Sequence, residues 1–365
     1  MADERRVLKY QIGPEEDGMT VQEFLRGRLS FSARQISRLK FRQDGIRVNG
    51  EQYYVTWQLR DGDRLEIGLE DDRRPARTGW LTEAQAAAIA AKSGRTFNMP
   101  PFEVLYEDED VLAVNKAAGL VCHPSPGHYA DTLSNQAAEY LAKKAPGKES
   151  RLSIHLTGRL DRDTSGVVLF ARNQDAAASL QRQRENGQYE KLYLALAEGA
   201  FCETEKVLSA PISKVPGVLM KMQTVREGGK EAQTFVRVLE QRGDCALLLC
   251  RIRHGRTHQI RVHLSSDGHP LLYDPLYGTE KEGKHFYLHA AQVLFQKPFT
   301  GEPVLVSAPL PENFREELAA RGFSCAGQSE AMLVQEGFSN YAEHDKIIAD
   351  CGSGPIDGQV KKDPD

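Results

Sequence analysis

The sequence predicts an α+β protein: a large domain on a mixed, largely antiparallel central sheet flanked by helices and loops, preceded by a small α+β domain. Three observations predict it. At 365 residues the chain exceeds one typical compact domain and suits a large domain with a smaller companion. After residue 102 strand-like and helix-like segments mix without regular βαβ alternation, which disfavours a doubly wound parallel sheet. Residues 17 to 69 carry a set of short elements of their own, separated by turns.

In chain order, Val21, Phe24, Leu25 and Leu29 fall at helical spacing, and Ala33, Ile36 and Leu39 repeat the pattern after a Ser-rich break. GIRVNG then reads as a strand between turns, and LRDGDRLEIGL adds an Asp-Gly turn and an alternating strand. Residues 1–70 are therefore assigned to the first domain, with 17–69 expected to form a self-contained unit. Residues 71–101 hold a charged run, an Ala-rich helical stretch and a Pro pair, the pattern of a linker with one helix. The large domain, 102–321, opens on FEVLYEDEDVLAVNKAAGL, two short strands joined by an acidic turn. Further strands are expected at 166–172, 189–198, 233–241, 246–253 and 286–296, and helices at 132–142, 174–186 and 258–266. From 322 the pattern fades, so 322–365 is expected to be a variable, partly disordered tail.

Composition excludes several classes. Charged residues make up 27% of the chain and nowhere do about 18 apolar residues run together, so a soluble rather than membrane protein is expected. MADERRVLKY does not resemble a signal peptide, which places the chain in the cytoplasm. Cysteines at 122, 202, 245, 250, 325 and 351 form no CxxC pair, the pattern of reduced thiols rather than a zinc ribbon or disulfide framework. The formal charge of −4 argues weakly against a nucleic-acid partner, but the total hides the distribution. Between Gly18 and Gly50, Arg26, Arg28, Arg34, Arg38, Lys40, Arg42 and Arg47 face only Glu23 and Asp44. Arg34 and Arg38, with Lys40 beside them, would share a helix face and offer phosphates a compact landing site; Arg42, Arg47 and Asn49 follow in the hairpin. The alternative is the solvated face of a small domain.

Three segments of the large domain carry groups capable of chemistry. In HLTGRLDRDTSGVVLFARN, residues 155–173, a tight charged loop empties into an apolar strand, with Asp161 and Asp163 next to Arg159 and Arg162. Paired carboxylates for acid and base work, a metal site and a salt-bridged loop all fit it. RHGRTHQIRVHLSSDGHPLLYDPLYG, residues 253–278, brings His254, His258, His263 and His269 with Arg256 and Arg261. His258 and His263 stand five apart and diverge on a helix, unlike the i, i+4 pair that grips zinc, so no metal is expected. In YEKLYLALAEG, Tyr189, Lys191 and Tyr193 alternate to one side of a strand, as core or as a face on which a base stacks.

Together these segments resemble a family. GRLDRDTSG is similar to the HRLDxxTSG signature of RluA-type pseudouridine synthases, whose invariant aspartate falls on Asp161. GRTHQIRVHL with GHPLLYDPLYG resembles their later signature and places the active-site basic residue on Arg261, while KLY places the tyrosine on Tyr193. LYEDEDVLAVNKAAGL, GKEAQTFVRVL and YLHAAQVLF agree in order, over about residues 102–312. Gly158 stands where the family usually has His, Ala117 replaces the Pro of KPAG, and His254 replaces a Thr. The first domain, through ISRLKFRQDGIRVNGEQ and LRDGDRLEI, resembles the RNA-binding module of small-subunit ribosomal protein S-four.

The resemblance implies a cofactor-free, metal-free isomerase that converts uridine in structured RNA to pseudouridine. Asp161 would act on the bound nucleotide as nucleophile at C1′ or by promoting elimination, Arg261 would keep it ionised, and Tyr193 would stack on the uracil. Arg159 and Arg162 would hold flanking phosphates, Thr164, Arg256, His258 and Gln259 would contact substrate, and Asp163 would brace the loop. Front-module relatives such as RluC and RluD point to large-subunit ribosomal RNA, with transfer RNA as the alternative substrate. A non-catalytic RNA-binding ribosome-assembly factor and a metal-dependent nuclease are the competing roles. A monomer is expected.

Overall fold

The computed structural model describes residues 6–42, 44–69, 99–125, 127–144, 153–327 and 334. The expected linker helix and, apart from Val334, the tail beyond 327 lie outside them.

The first domain opens on β1 (Val7–Gln11), a strand ahead of the expected elements. α1 (Val21–Gly27) and α2 (Ala33–Lys40) follow, started by the capping boxes Thr20 with Glu23 and Ser32 with Gln35. Each box satisfies backbone donors that a helix start leaves open, which lets such short helices hold. β2 (Ile46–Val48), β3 (Glu51–Gln52) and β4 (Arg64–Gly68) complete an antiparallel sheet ordered β1-β4-β2-β3.

This unit is not self-contained. Its Leu8, Phe24, Phe31 and Ile36 share one hydrophobic core with Val111, Val167, Leu180 and Phe295 of the large domain. Polar ties follow the same seam: Arg6 donates twice to Asp110 at 2.9 and 2.6 Å, Gln35 Nε2 donates to Asp175 at 2.8 Å, and Arg38 Nη1 donates to Gln174 at 3.1 Å. The apolar sides of the two small helices are thus covered by a neighbour, because so short a unit buries little surface alone.

The strands of the large domain are β5 (Glu103–Glu107), β6 (Val111–Lys116), β7 (His155–Leu156), β8 (Ser165–Ala171), β9 (Glu190–Glu198), β10 (Glu205–Ser209), β11 (Ile212–Lys214), β12 (Met222–Thr224), β13 (Gln233–Arg242), β14 (Cys245–Ile252), β15 (Leu288–Gln296) and β16 (Pro303–Ser307). Among them run α3 (Leu133–Lys144), α4 (Gln174–Glu185), α5 (Gln259–Ser266) and α6 (Glu312–Ala320). The main sheet is ordered β10-β13-β14-β9-β15-β8-β6-β5, with β16 on β15 and β7 on β8. Its pairs are antiparallel except β15 with β8, which run parallel at His289–Ser165 and Ala290–Gly166. The sheet is therefore mixed and largely antiparallel, as the sequence predicts. β11 and β12 form a separate hairpin.

Alternation sorts the central strands onto two cores. Leu192, Leu194 and Leu196 of β9 pack with Leu247, Leu249, Phe314 and Leu318 on one face. Tyr193, Ala195 and Ala197 face the other, with Leu248, Ile260, Leu264 and Leu288. Phe323 and Cys325, where the sequence pattern already fades, are buried in the first of these cores. Among the described residues no helix is long and apolar enough to cross a membrane.

At the parallel contact Gly166 has φ +110°, and a Cβ there would lie 2.2 Å from the carbonyl oxygen of Ala290. Only glycine fits, since both the conformation and the close approach reject a side chain. Gly166→Ala is expected to destabilise the protein by at least about 3 kcal/mol in urea unfolding, because strain and overpacking act together.

Candidate active site

The site forms where the loop before β8, the strand β9 and the start of α5 converge. The loop is fixed from below. Lys116, buried at the end of β6, donates through Nζ to the carbonyls of Ala117, Leu120 and Arg162 at 2.9, 2.6 and 2.7 Å. Gly119 N also donates to Arg162 O, at 2.9 Å, and Leu160 N donates to Cys122 Sγ at 3.3 Å. Ser165 Oγ, at the loop's exit, bonds His289 Nδ1 at 2.9 Å. With its backbone held on both sides, the loop presents Asp161 with a side chain 20% exposed.

Opposite stands Arg261 in α5. Its Nε and Nη2 donate to Asp274 at 2.7 and 2.8 Å, and Asp274 is fully buried. Asp274 also accepts from the backbone of Leu276 and Tyr277 at 3.0 and 3.2 Å. The guanidinium lies over the rings of Phe286 and Tyr277, at 4.2 and 5.1 Å from their centroids. Burial opposes its charge, but the bonds to Asp274 together with the negative charges of Asp274 and Asp161 outweigh burial and raise its pKa. The remaining nitrogen, Nη1, faces Asp161 Oδ2 at 3.6 Å.

A cleft with about 950 Å³ of empty space, its mouth included, opens over this pair. Tyr189, Lys191 and Tyr193 all line it, as their alternation on one strand face requires. Burial, with lesser contributions from Tyr189 and Asp161, drives the phenol of Tyr193 far above its ordinary pKa, so it stays protonated and offers its ring. His258, in the left-handed conformation at φ 55°, also lines the cleft, and its Nδ1 lies 2.9 Å from Tyr277 Oη. Burial lowers its pKa, leaving a neutral imidazole.

The remaining sequence candidates part ways. Arg159 lines the cleft and bonds Thr257 across its mouth; Arg256 lines it while donating to Glu231 O at 2.9 Å; Thr164 lines it and is buried. Arg162, expected at a flanking phosphate, lies outside the cleft lining, exposed and paired with Asp163 at 3.1 Å, and contributes its carbonyl to the loop's anchor. Gln259 also lines the cleft, and its amide engages Gln233 O, Thr234 Oγ1 and Arg256 N, which ties the start of α5 to β13. His263 bonds Thr234 and Ala210, and His269 stacks on Phe201, so both serve packing. In the first domain Arg34 and Lys40 are exposed, whereas Arg38 is engaged at the seam with α4. Arg42 reaches Gly68 O and Leu69 O at 3.5 and 3.4 Å, Arg47 pairs with Asp44, and Asn49 holds a turn with Asp63 and Arg64.

Sequence reasoning missed Asp274, Lys116, Tyr277 and Phe286. Asp274 lies inside the quoted YDPLYG, yet an acid before a proline reads as a turn, and only the fold brings it beneath Arg261.

Burial lowers both Lys116 and Lys191 from 10.5 to about 8. Between those values the unfolded chain holds protons that the folded chain has released, so these lysines make stability rise with pH. The gain of wild type relative to a Lys116→Met/Lys191→Met variant is expected to grow between pH 7.5 and 9.5 in urea unfolding, by about 1–3 kcal/mol.

Known proteins match this chain in sequence and in fold. A family model described as RNA pseudouridylate synthase matches residues 110–266. The chain is 32% identical over 296 residues to the uncharacterized RNA pseudouridine synthase YjbO of Bacillus subtilis, covering 81% of this chain and 96% of that one. It is 37% identical over 277 residues to ribosomal large subunit pseudouridine synthase D of Xanthomonas campestris, covering 72% and 82%. The solved structure of human RNA pseudouridylate synthase domain containing 4 shares the fold, with a TM-score of 0.50 and 24% identity over 65% of this chain and 97% of that one. The chain belongs to the RNA pseudouridine synthases, in their RluA branch, and is an isomerase.

Proposed function

We propose that this enzyme isomerises uridine in large-subunit ribosomal RNA, with Asp161 as the reacting side chain. The observation that carries the assignment of Asp161 is its position 3.6 Å from a buried, doubly anchored guanidinium, at the edge of a cleft lined by Tyr193. Pseudouridine formation breaks the N1–C1′ bond, turns the uracil and rejoins it through C5. The carboxylate acts at the sugar, as nucleophile at C1′ or by promoting elimination, and both routes need it ionised. Arg261 supplies the facing positive charge, the protonated Tyr193 offers a ring on which the uracil stacks, and neutral His258 borders the same space.

Ribosomal RNA as substrate is supported by relatives named ribosomal large subunit pseudouridine synthase D, at 35 to 37% identity. The charge of the cleft agrees with an RNA partner: Arg159, Arg184, Lys191, Arg253, Arg256 and Arg261 line it against the single carboxylate of Asp161. A uridine must leave its stack to reach Asp161, at a cost of a few kcal/mol, and phosphate contacts around the mouth offset that cost. The first domain acts as the S-four-like RNA module, with the exposed Arg34 and Lys40 among its phosphate contacts.

Asp161→Asn is expected to lower pseudouridine formation in ribosomal RNA by about 10³-fold or more while RNA affinity changes little. Turnover at the wild-type rate, read by mass spectrometry of the RNA, sinks the assignment. For Arg34→Gln/Lys40→Gln the slope of log affinity against log salt is expected to fall by about 1.5, with turnover at saturating RNA retained. An unchanged slope removes the first domain from the RNA interface.

A further inference from the structure

The cleft holds a second group of charges, apart from Asp161, Arg261 and Tyr193. Lys191 lies on β9 two residues before Tyr193 and on the same face. It is 7% exposed and forms no hydrogen bond or ion pair among the described residues. Arg184, at the end of α4, lines the cleft beside it; its Nη1 donates to Thr157 O at 2.6 Å, and no carboxylate pairs with it among the described residues. Burial and the charge of Arg184 lower the Lys191 pKa to about 8, and the nearby Cys122 opposes this only weakly, since burial raises its own pKa and keeps its thiol neutral.

Two glycines leave these cations open. A Cβ on Gly158 would lie 3.6 Å from Lys191 Nζ and 3.7 Å from Arg184 Nη1, and one on Gly255 would lie 2.9 Å from Arg184 Nη2. The first is an ordinary contact distance, so position 158 has room for a side chain and carries none. Two neighbouring like charges without a counterion, the Lys191 ammonium buried and the Arg184 guanidinium part-buried, are unfavourable, and an anion entering between them removes the penalty. A neutral carbonyl satisfies one donor, whereas a phosphate accepts from the guanidinium and the ammonium together.

We propose that Lys191 and Arg184, uncovered by Gly158 and Gly255, form an anion subsite that binds a phosphate of the RNA strand beside the target uridine. The inference rests on the reading that the cleft receives a uridine of RNA. A phosphate seated there fixes the strand without reading its sequence and helps to hold the nucleotide out of its stack.

The test uses the full chain and three probes in calorimetric titration: uridine, uridine 3′,5′-bisphosphate and inorganic phosphate. The bisphosphate is expected to bind about tenfold or more tighter than uridine, as a charge-assisted contact gives. Lys191→Met and Gly158→Leu, one removing a cation and the other filling the notch, should each bring the two affinities together while leaving that for uridine within about threefold, a small change on this scale. Lys191→Met should melt no lower than wild type, since it deletes an unpaired buried charge. Equal binding of uridine and bisphosphate in wild type, or an advantage that survives both variants, overturns the subsite. So does inorganic phosphate binding as tightly as the bisphosphate, which marks a free-anion site. Failure of the RNA reading shows separately, as wild-type protein that forms no pseudouridine in ribosomal RNA.

Discussion

The arrangement of the site depends on how a buried guanidinium is satisfied. Arg261 is almost fully enclosed, and an unpaired charge in such a place is strongly destabilising. Asp274 answers with two parallel bonds, and the rings of Phe286 and Tyr277 cover the faces. The fork is rigid, so engaging Nε and Nη2 also aims Nη1, and Asp161 is what it faces. A lysine in this position would have no such directionality. Tyr277 extends the constraint, since its hydroxyl also takes the backbone N–H of Met222 and lies against His258. One ion pair thereby ties the start of α5, the β11–β12 hairpin and the segment after α5 into a single wall.

The opposite wall is set by backbone bonds. A buried ammonium with three carbonyl partners, Lys116, fastens the turn after β6 to the carbonyl of the residue following Asp161. Gly166 then lets β8 run against β15 closely enough for the parallel contact. Asp161 is thus placed between a strand that cannot move outward and a lysine that cannot easily lose its partners. Preorganisation of this kind keeps the Asp161 carboxylate and its facing cation in register.

Much of this was legible in the sequence, for physical reasons. The long strands β8, β9, β13, β14 and β15 and the helices α3 to α5 carry enough residues for their periodicity to register, and alternation put Tyr189, Lys191 and Tyr193 on one strand face while leaving open whether that face was core or cleft. β7, β10, β11, β12 and β16 went unread because two to five residues, several next to prolines, give no period. The apolar face of α2 was visible, but a face reads the same whether it packs within its own unit or against α4. For the same reason Arg38 looked like a solvent-facing cation and is held at a seam.

Net charge misleads for a related reason. The chain carries −4 overall, yet six basic side chains and one carboxylate line the cleft. Acids elsewhere are met by nearby cations: Glu15 and Glu16 share Arg28, and Glu107 takes Lys144 and Arg172. Such pairs contribute little to stability or to the field at a distance. The cleft cations differ because low-dielectric walls concentrate their field; Asp274 holds Arg261 from beneath, and Asp161 is the carboxylate that lines the cleft with them. A polyanion is therefore drawn toward the cleft in which Asp161 stands. The local surplus also offsets the repulsion that Asp161 itself exerts on a phosphodiester strand.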